Sequence, residues 1–478
     1  MPLHPQNLNQ RSLLPKEAAR SIVVRWLWAG LLCLSMGSLL GQASIAFRDG
    51  KMSANIDSSN LPQILQTLSN ATGWIVFLEP EATRRVSTRF QDRSVGDALP
   101  RIFGDLSYAV IPGADQRTRV YVYQSNLEEA TRKIAPDPAI YQETKASNRL
   151  ENELLVTLKP GSTESIEEIA ARLGAKILGR SKDGRSFRLG FDDQDAANAA
   201  RRLLEDNDNI DQVDSNFGIP RPAAPARLGA GQAQPPTLRA VPPEPGEELI
   251  IGLIDTPADS VTPNIEDFIL EPIELAGDSR ETPDGTVSHG SAMAETIIRG
   301  LELVEPSESA VRILPVDVYG HNEQTTTFDV ANGIVSAVNE GARIINLSLG
   351  GSDDNPYVER LVTDLSEQGI LFFSAAGNEP VTTPTYPAAY DPVIAVTAGD
   401  RTGKIADYAN RGAFVDLVAP GGSIVHNNEN QSFYGNGTSF STAYVSGAAG
   451  GLAGSSDFDV AEVRGKLETA LGIRELNP

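Results

Sequence analysis

Four polar residues of this chain stand where an apolar run stops or a run of small residues begins, and between them they supply a carboxylate, an imidazole, an amide and a hydroxyl. Ser439 follows a Gly-Thr turn and heads the stretch Asn436-Gly-Thr-Ser-Phe-Ser-Thr-Ala-Tyr-Val-Ser-Gly-Ala-Ala-Gly450. Side chains that small let neighbouring backbones approach, so the stretch predicts a tight loop feeding a closely packed, buried helix. A serine at a helix start lies among unpaired backbone N–H groups at the positive end of the helix dipole. That setting favours a developing oxyanion, which an acyl-transfer nucleophile needs. Taken alone, the same serine reads more simply as an N-cap residue.

The other three residues bear on the choice. Asp255 ends the apolar run Ile251-Gly-Leu-Ile-Asp255, and a carboxylate there is costly to bury unless something accepts its charge. His289 opens Val287-Ser-His-Gly-Ser-Ala-Met-Ala294, a second small-residue helix start. Asn378 closes Ser374-Ala-Ala-Gly-Asn378, with Gly377 before it. Ser348, Leu349, Gly350 and Gly351 follow a strand and leave a glycine-lined edge where an extended peptide could lie.

The elements that must position these groups alternate strand and helix over 248–478. Leu249–Ile254 is a continuous apolar run, as expected of a strand buried on both faces. Val330, Ile334, Ala337 and Val338 mark one helix, and Val358, Leu361, Val362 and Leu365 mark another. Strands are expected at Arg343–Leu347 and Ile370–Ser374. The fold class is α/β, a doubly wound, mostly parallel sheet with ligands beyond the carboxyl ends of its strands, preceded by two small α+β domains.

The order Asp…His…Asn…Ser with these flanks resembles the catalytic domain of subtilisin-like serine proteases (subtilases) over essentially all of 248–475. The resemblance implies a serine endopeptidase that hydrolyses peptide bonds through an acyl-enzyme. His289 would take the proton from Ser439, Asp255 would orient His289, and Asn378 with the Ser439 N–H would form the oxyanion hole. Ser348, Leu349, Gly350, Gly351 and Gly377 would bind the backbone of a polypeptide substrate. No cofactor is required. Calcium, common among relatives, has no Asp-x-Asp-x-Asp-Gly loop here and is unassigned. Pro257, Ala443 and Tyr444 depart from the family pattern without removing a proton-transfer group. Of four histidines, His4 lies in the leading segment, while His321 and His426 sit in polar, turn-like surroundings.

Upstream, residues 1–43 read as a signal: a basic stretch to Arg25, a short apolar run from Trp26 to Leu40, then small residues. The long basic stretch leaves a permanent anchor as the alternative. Export to periplasm, envelope or medium is the expectation. The only cysteine, Cys33, lies inside this segment, so cysteine usage says nothing of redox compartment. Residues 44–125 alternate strands with two helices and resemble the short N-terminal domain of secretins and TonB-dependent receptors, which implies an envelope protein partner. Residues 126–150 are a polar linker. Residues 151–217, in the order βαββαβ, resemble a subtilase pro-domain, which would make the chain a zymogen; an ordinary ferredoxin-like domain is the alternative. The stretch 218–247 is a Pro/Ala-rich linker, expected to be extended and exposed, with self-cleavage expected between about 216 and 247. A formal charge of −23 argues against nucleic acid as a partner. The rival reading is an inert protease fold serving an envelope binding or signalling module.

Overall fold

The computed structural model describes residues 44–48, 51–112, 118–134, 148–228, 234–243, 248–400, 402–453 and 459–471. The signal reading of 1–43 and most of the linker reading of 126–150 therefore lie outside the described residues.

The first unit holds β1 (Ser44–Arg48), β2 (Lys51–Asn60), α1 (Leu61–Thr72), β3 (Ile75–Leu78), β4 (Arg85–Ser94), α2 (Val95–Phe103), β5 (Ser107–Pro112), β6 (Thr118–Tyr123) and β7 (Arg132–Ile134). Asn60 and Ser94 cap its helices, each side chain accepting an N–H of the first turn. Two sheets result, β1-β2-β4 and β5-β6-β3-β7, around a core that includes Leu61, Ile64, Leu65, Leu99 and Phe103. β7 pairs with β3, so this unit runs to Ile134, beyond the expected boundary at 125.

The second unit comprises β8 (Arg149–Leu158), α3 (Ile166–Leu173), β9 (Lys176–Arg180), β10 (Ser186–Gly190), α4 (Gln194–Glu205) and β11 (Ile210–Pro220). Its antiparallel sheet has the order β11-β8-β10-β9. A capping box of Ser165 and Glu168 starts α3, and Gly174 stops it in the left-handed conformation.

Two short strands follow, β12 (Ala226–Arg227) and β13 (Arg239–Ala240). Then come β14 (Ile250–Asp255), β15 (Ile273–Glu274), α5 (His289–Val304), β16 (Glu308–Ser309), β17 (Arg312–Asp317), β18 (Gln324–Thr326), α6 (Thr327–Asn339), β19 (Ala342–Leu347), α7 (Pro356–Glu367), β20 (Leu371–Ala375), β21 (Val393–Gly399), β22 (Leu417–Pro420), β23 (Gly422–His426), β24 (Ser432–Asn436), α8 (Thr438–Ala453) and α9 (Val460–Leu471). Seven strands form a parallel sheet in the order β15-β17-β14-β19-β20-β21-β22. β14, β20 and β21 are buried along their whole length, as parallel strands covered on both faces are. The order reverses on either side of β14, placing Asp255 at the switch point of the sheet.

α5 and α8 pack on one face of this sheet and touch backbone to backbone. A Cβ added to Gly300 would lie 2.1 Å from the Tyr444 carbonyl oxygen, and one added to Gly447 would lie 1.9 Å from that of Ile297. The small residues along both helices are what allow this approach. Ala443 is fully buried within α8.

Gly447→Ala forces the two helices apart and is expected to destabilise the fold by about 1–3 kcal/mol, the range for overpacked cores. Urea unfolding monitored by circular dichroism measures the loss.

Candidate functional site

Asp255 ends β14 with no exposed surface. The Thr256 N–H donates to its Oδ1 at 2.7 Å. His289 Nδ1 lies 2.8 Å from Oδ1 and 2.9 Å from Oδ2. These donors offset the desolvation of the carboxylate. A neutral imidazole donating from Nδ1 keeps Nε2 as its acceptor. His289 is the first residue of α5, and Ser288 caps that helix by accepting the Ser291 N–H at 3.0 Å. The Gly290 N–H donates to Thr256 Oγ1 at 2.8 Å, and a Cβ there would meet the Thr256 carbonyl oxygen at 2.1 Å. The helix start therefore rests directly on the turn after Asp255. Pro257 fits this turn, its carbonyl accepting the Ser288 hydroxyl at 2.6 Å.

Ser439 lies in the first turn of α8 and lines one cavity with His289 and Asn378. Its Oγ donates to the Ser348 carbonyl at 3.0 Å, and Ser348 Oγ donates back to the Ser439 carbonyl at 3.0 Å. Asn346 at the end of β19 extends this tie, donating to Ser348 Oγ and accepting from Ser446 of α8. The hydroxyl is thus held by the turn that follows β19. Asn378 Oδ1 accepts the Thr438 N–H at 2.9 Å, so its amide nitrogen is the end left for the cavity. Thr438 Oγ1 accepts the Gly377 N–H at 3.0 Å. Ser348, Leu349, Gly350, Gly351 and Gly377 line a second cavity that also reaches Asn378 and Ser439. All nine residues singled out by sequence thus border one cleft or, in the case of Asp255, support it from beneath.

His426 is not in a polar turn. It ends β23 with 1% exposure, because the polar run after it begins only where the strand stops. Its N–H donates to Glu295 Oε2 at 2.6 Å and its Nδ1 lies 3.0 Å from Oε1, which also accepts from Arg299 at 2.8 Å. Glu295 is buried on α5, and this contact fastens the helix that carries His289. A carboxylate in the small-residue first half of that helix was the available signal.

The Pro/Ala-rich segment is extended, but it is not free in solvent. Gly218–Pro220 pairs antiparallel with β18. The Arg221 N–H donates to the Glu323 carbonyl at 2.8 Å, and its guanidinium lies over Tyr319 while bonding the Gly320 carbonyl. Pro222 and Ala223 line the cavity that holds His289 and Ser439. Ala226–Arg227 then pairs antiparallel with β24, and the Leu228 N–H donates to the Ser432 carbonyl. The segment crosses the site as an added strand on both sides. Its composition excluded helix but could not reveal partners a hundred or more residues away.

The second unit docks on the start of α6. Asn216, fully buried, accepts from Thr327 Oγ1 and the Phe328 N–H and donates to Glu153. Arg188 bridges Glu153 and Asp329. Burial pushes the Asp329 carboxyl up, opposed by the Thr326 hydroxyl and Arg188. The first unit docks beside the cleft: Phe77 meets Tyr408 edge-on at 5.9 Å, Tyr121 meets Tyr434 edge-on at 4.9 Å, and the Tyr121 hydroxyl donates to Asn436 Oδ1 at 3.2 Å. Burial raises the Tyr121, Tyr408 and Tyr434 phenols, so all three stay neutral. Among the described residues no group of three or more His, Cys, Asp or Glu is placed to hold a metal ion, and no helix is long and apolar enough to cross a membrane.

A model of the subtilase family matches residues 246–472. The chain is 34% identical to a thermophilic serine proteinase of Bacillus sp. (strain AK1) over 47% of this chain and 56% of that protein. It is 31% identical to thermitase of Thermoactinomyces vulgaris over 47% of this chain and 81% of that protein. It thus spans little more than half of the first relative. Among solved structures, a mutant of the protease domain of PatA matches 48% of this chain and 88% of its own, at 26% identity and a TM-score of 0.42.

Removing Glu295 takes away the buried carboxylate that His426 and Arg299 share. Glu295→Ala is expected to cost about 3–5 kcal/mol, the range for breaking a buried ion pair from one side. The shift in the urea unfolding midpoint against wild type reads this out.

Proposed function

The chain belongs to the subtilase family of serine-type endopeptidases, and we propose that its working groups are Asp255, His289, Ser439 and Asn378, and that the chain is a zymogen whose own linker is the first peptide it cuts. The observation that carries the reading is the course of residues 218–228, strand-paired on both sides of Ser439 with Pro222 and Ala223 between.

In the reaction, rotation of the Ser439 side chain turns its hydroxyl from the Ser348 carbonyl to His289 Nε2. His289 accepts the proton as Oγ attacks the carbonyl carbon, and Asp255 steadies the imidazolium. The oxyanion that forms meets Asn378 Nδ2 and the Ser439 N–H. His289 then delivers its proton to the leaving nitrogen, the peptide bond breaks, and an acyl-enzyme remains. Water, deprotonated by the same imidazole, hydrolyses it. Ser348–Gly351 and β18 flank the acyl side of a polypeptide substrate as neighbouring strands.

The rest of the reading follows the chain order. Residues 149–220 act as the pro-domain, docked through Asn216 on α6. Residues 1–43 direct export to periplasm, envelope or medium, and the first unit offers a site for an envelope protein partner.

A fluorophosphonate probe is expected to label Ser439 in the wild type and not in His289→Ala; an unlabelled wild type sinks the enzyme reading. Self-processing is expected between Arg221 and Ala224, read as a new N-terminus by mass spectrometry and missing in Ser439→Ala. Identical trimming of both proteins would assign the cut to another protease. Asn378→Ala is expected to lower kcat by about 10²–10³ on a peptidyl p-nitroanilide, the loss typical of one oxyanion donor.

A further inference from the structure

Beyond Ser439 the linker runs in a slot with two kinds of wall. Ala226 and Leu228 are partly buried and pack against one apolar cluster, while Arg227 between them is exposed. This is the alternation of a strand with one face covered. One wall of the cluster is Ala398, Tyr408 and Tyr434 of the protease domain. The other is Ile75, Phe77, Ile111 and Tyr121 of the first unit. The two walls are joined at Asn436, three residues before Ser439, by the Tyr121 hydroxyl. Aromatic contacts between Phe77 and Tyr408 and between Tyr121 and Tyr434 close the seam, and Asp407 adds a main-chain bond to Thr131.

We propose that the first unit is a lasting part of the substrate cleft: it roofs the leaving-group side and selects an extended peptide with apolar side chains at the two alternate positions now filled by Ala226 and Leu228. The proposal rests on the endopeptidase reading above. β24 supplies the main-chain ladder and the aromatic cluster supplies the side-chain preference, the usual division of labour when a peptide adds to a sheet edge. A polar or charged residue at either inward position would lose its water without gaining a partner. The first unit is bound to the protease domain by aromatic packing, the Tyr121–Asn436 and Asp407–Thr131 hydrogen bonds and the Arg132–Asp407 ion pair, contacts independent of the linker, so the roof outlasts the cut.

The full-length precursor tests the slot through its own processing. Leu228→Asp is expected to slow self-cleavage at least 10-fold, and Leu228→Val to restore it to within about 3-fold of wild type. In a Tyr121→Ala or an Ile111→Ala background the Leu228→Asp penalty is expected to shrink below 3-fold. A penalty of equal size in both backgrounds overturns the proposal, because β24 alone would then be reading Leu228. After processing, the fragment carrying residues 44–134 is expected to co-elute with the protease domain on gel filtration. The mature protein is expected to cut a quenched peptide with apolar residues at the two positions at least 10-fold faster, in kcat/KM, than one with aspartates there. Loss of the fragment, or equal rates on the two peptides, overturns the proposal while fluorophosphonate labelling of Ser439 keeps the endopeptidase reading intact. Absence of labelling removes both.

Discussion

The backbone contact between α5 and α8 is the constraint from which the site follows. His289 opens one helix and Ser439 stands in the first turn of the other. Their separation is set by how closely the helix backbones cross, and Gly300 and Gly447 bring that crossing to the limit of atomic contact. Side chains of ordinary size would splay the helices by an ångström or more, and geometry for acyl transfer fails on that scale. The rest of the domain braces this crossing. Asp255 holds His289 from the end of β14, the Ser348–Asn346–Ser446 ties hold α8 to β19, and Glu295 fastens α5 to β23.

Legibility from sequence tracks how local the cause is. Leu249–Ile254 announces a strand because a strand buried on both faces needs only apolar residues, and the helix starts at 289 and 439 announce themselves through small residues and polar caps. β17 escaped notice because Pro315 interrupts Arg312-Ile-Leu-Pro-Val-Asp317, although the strand pairs with β14 on one side and β15 on the other. β21 and β22 also went unread, with no strong periodicity around them. The boundary at 125 fell short because β7 is only three residues long and is made a strand by β3. His426 was misplaced because the residues that follow it are polar, whereas its neighbours in space are Glu295 and the strands around it.

The largest gap between sequence and structure is the linker, and its cause is instructive. Proline and alanine specify an extended chain with few internal hydrogen bonds, which is also what a sheet edge requires of an incoming strand. An extended segment stays solvated only if no edge is within reach. Here β18 and β24 both present edges, and the docked second unit delivers the segment to the first of them through β11, which is one continuous strand from that unit's sheet to the cleft.

On the self-cleavage proposed above, that continuity would make occupation of the cleft strong before the cut and weak after it. A tethered segment binds its own site at the effective concentration set by its anchors, of the order of mM for short flexible connections. The second unit anchors one end of the linker and β13, paired with β16, anchors the other. Cutting between the anchors turns one doubly held strand into two singly held ends, each with only a few ladder bonds. The end on the β18 side stays attached to a unit docked through Asn216, and the end on the β24 side loses its upstream tether. After such a cut each half of the cleft keeps one tether, the second unit on the acyl side and β13 on the leaving-group side, so an incoming peptide competes at both against an occupant held by a few ladder bonds.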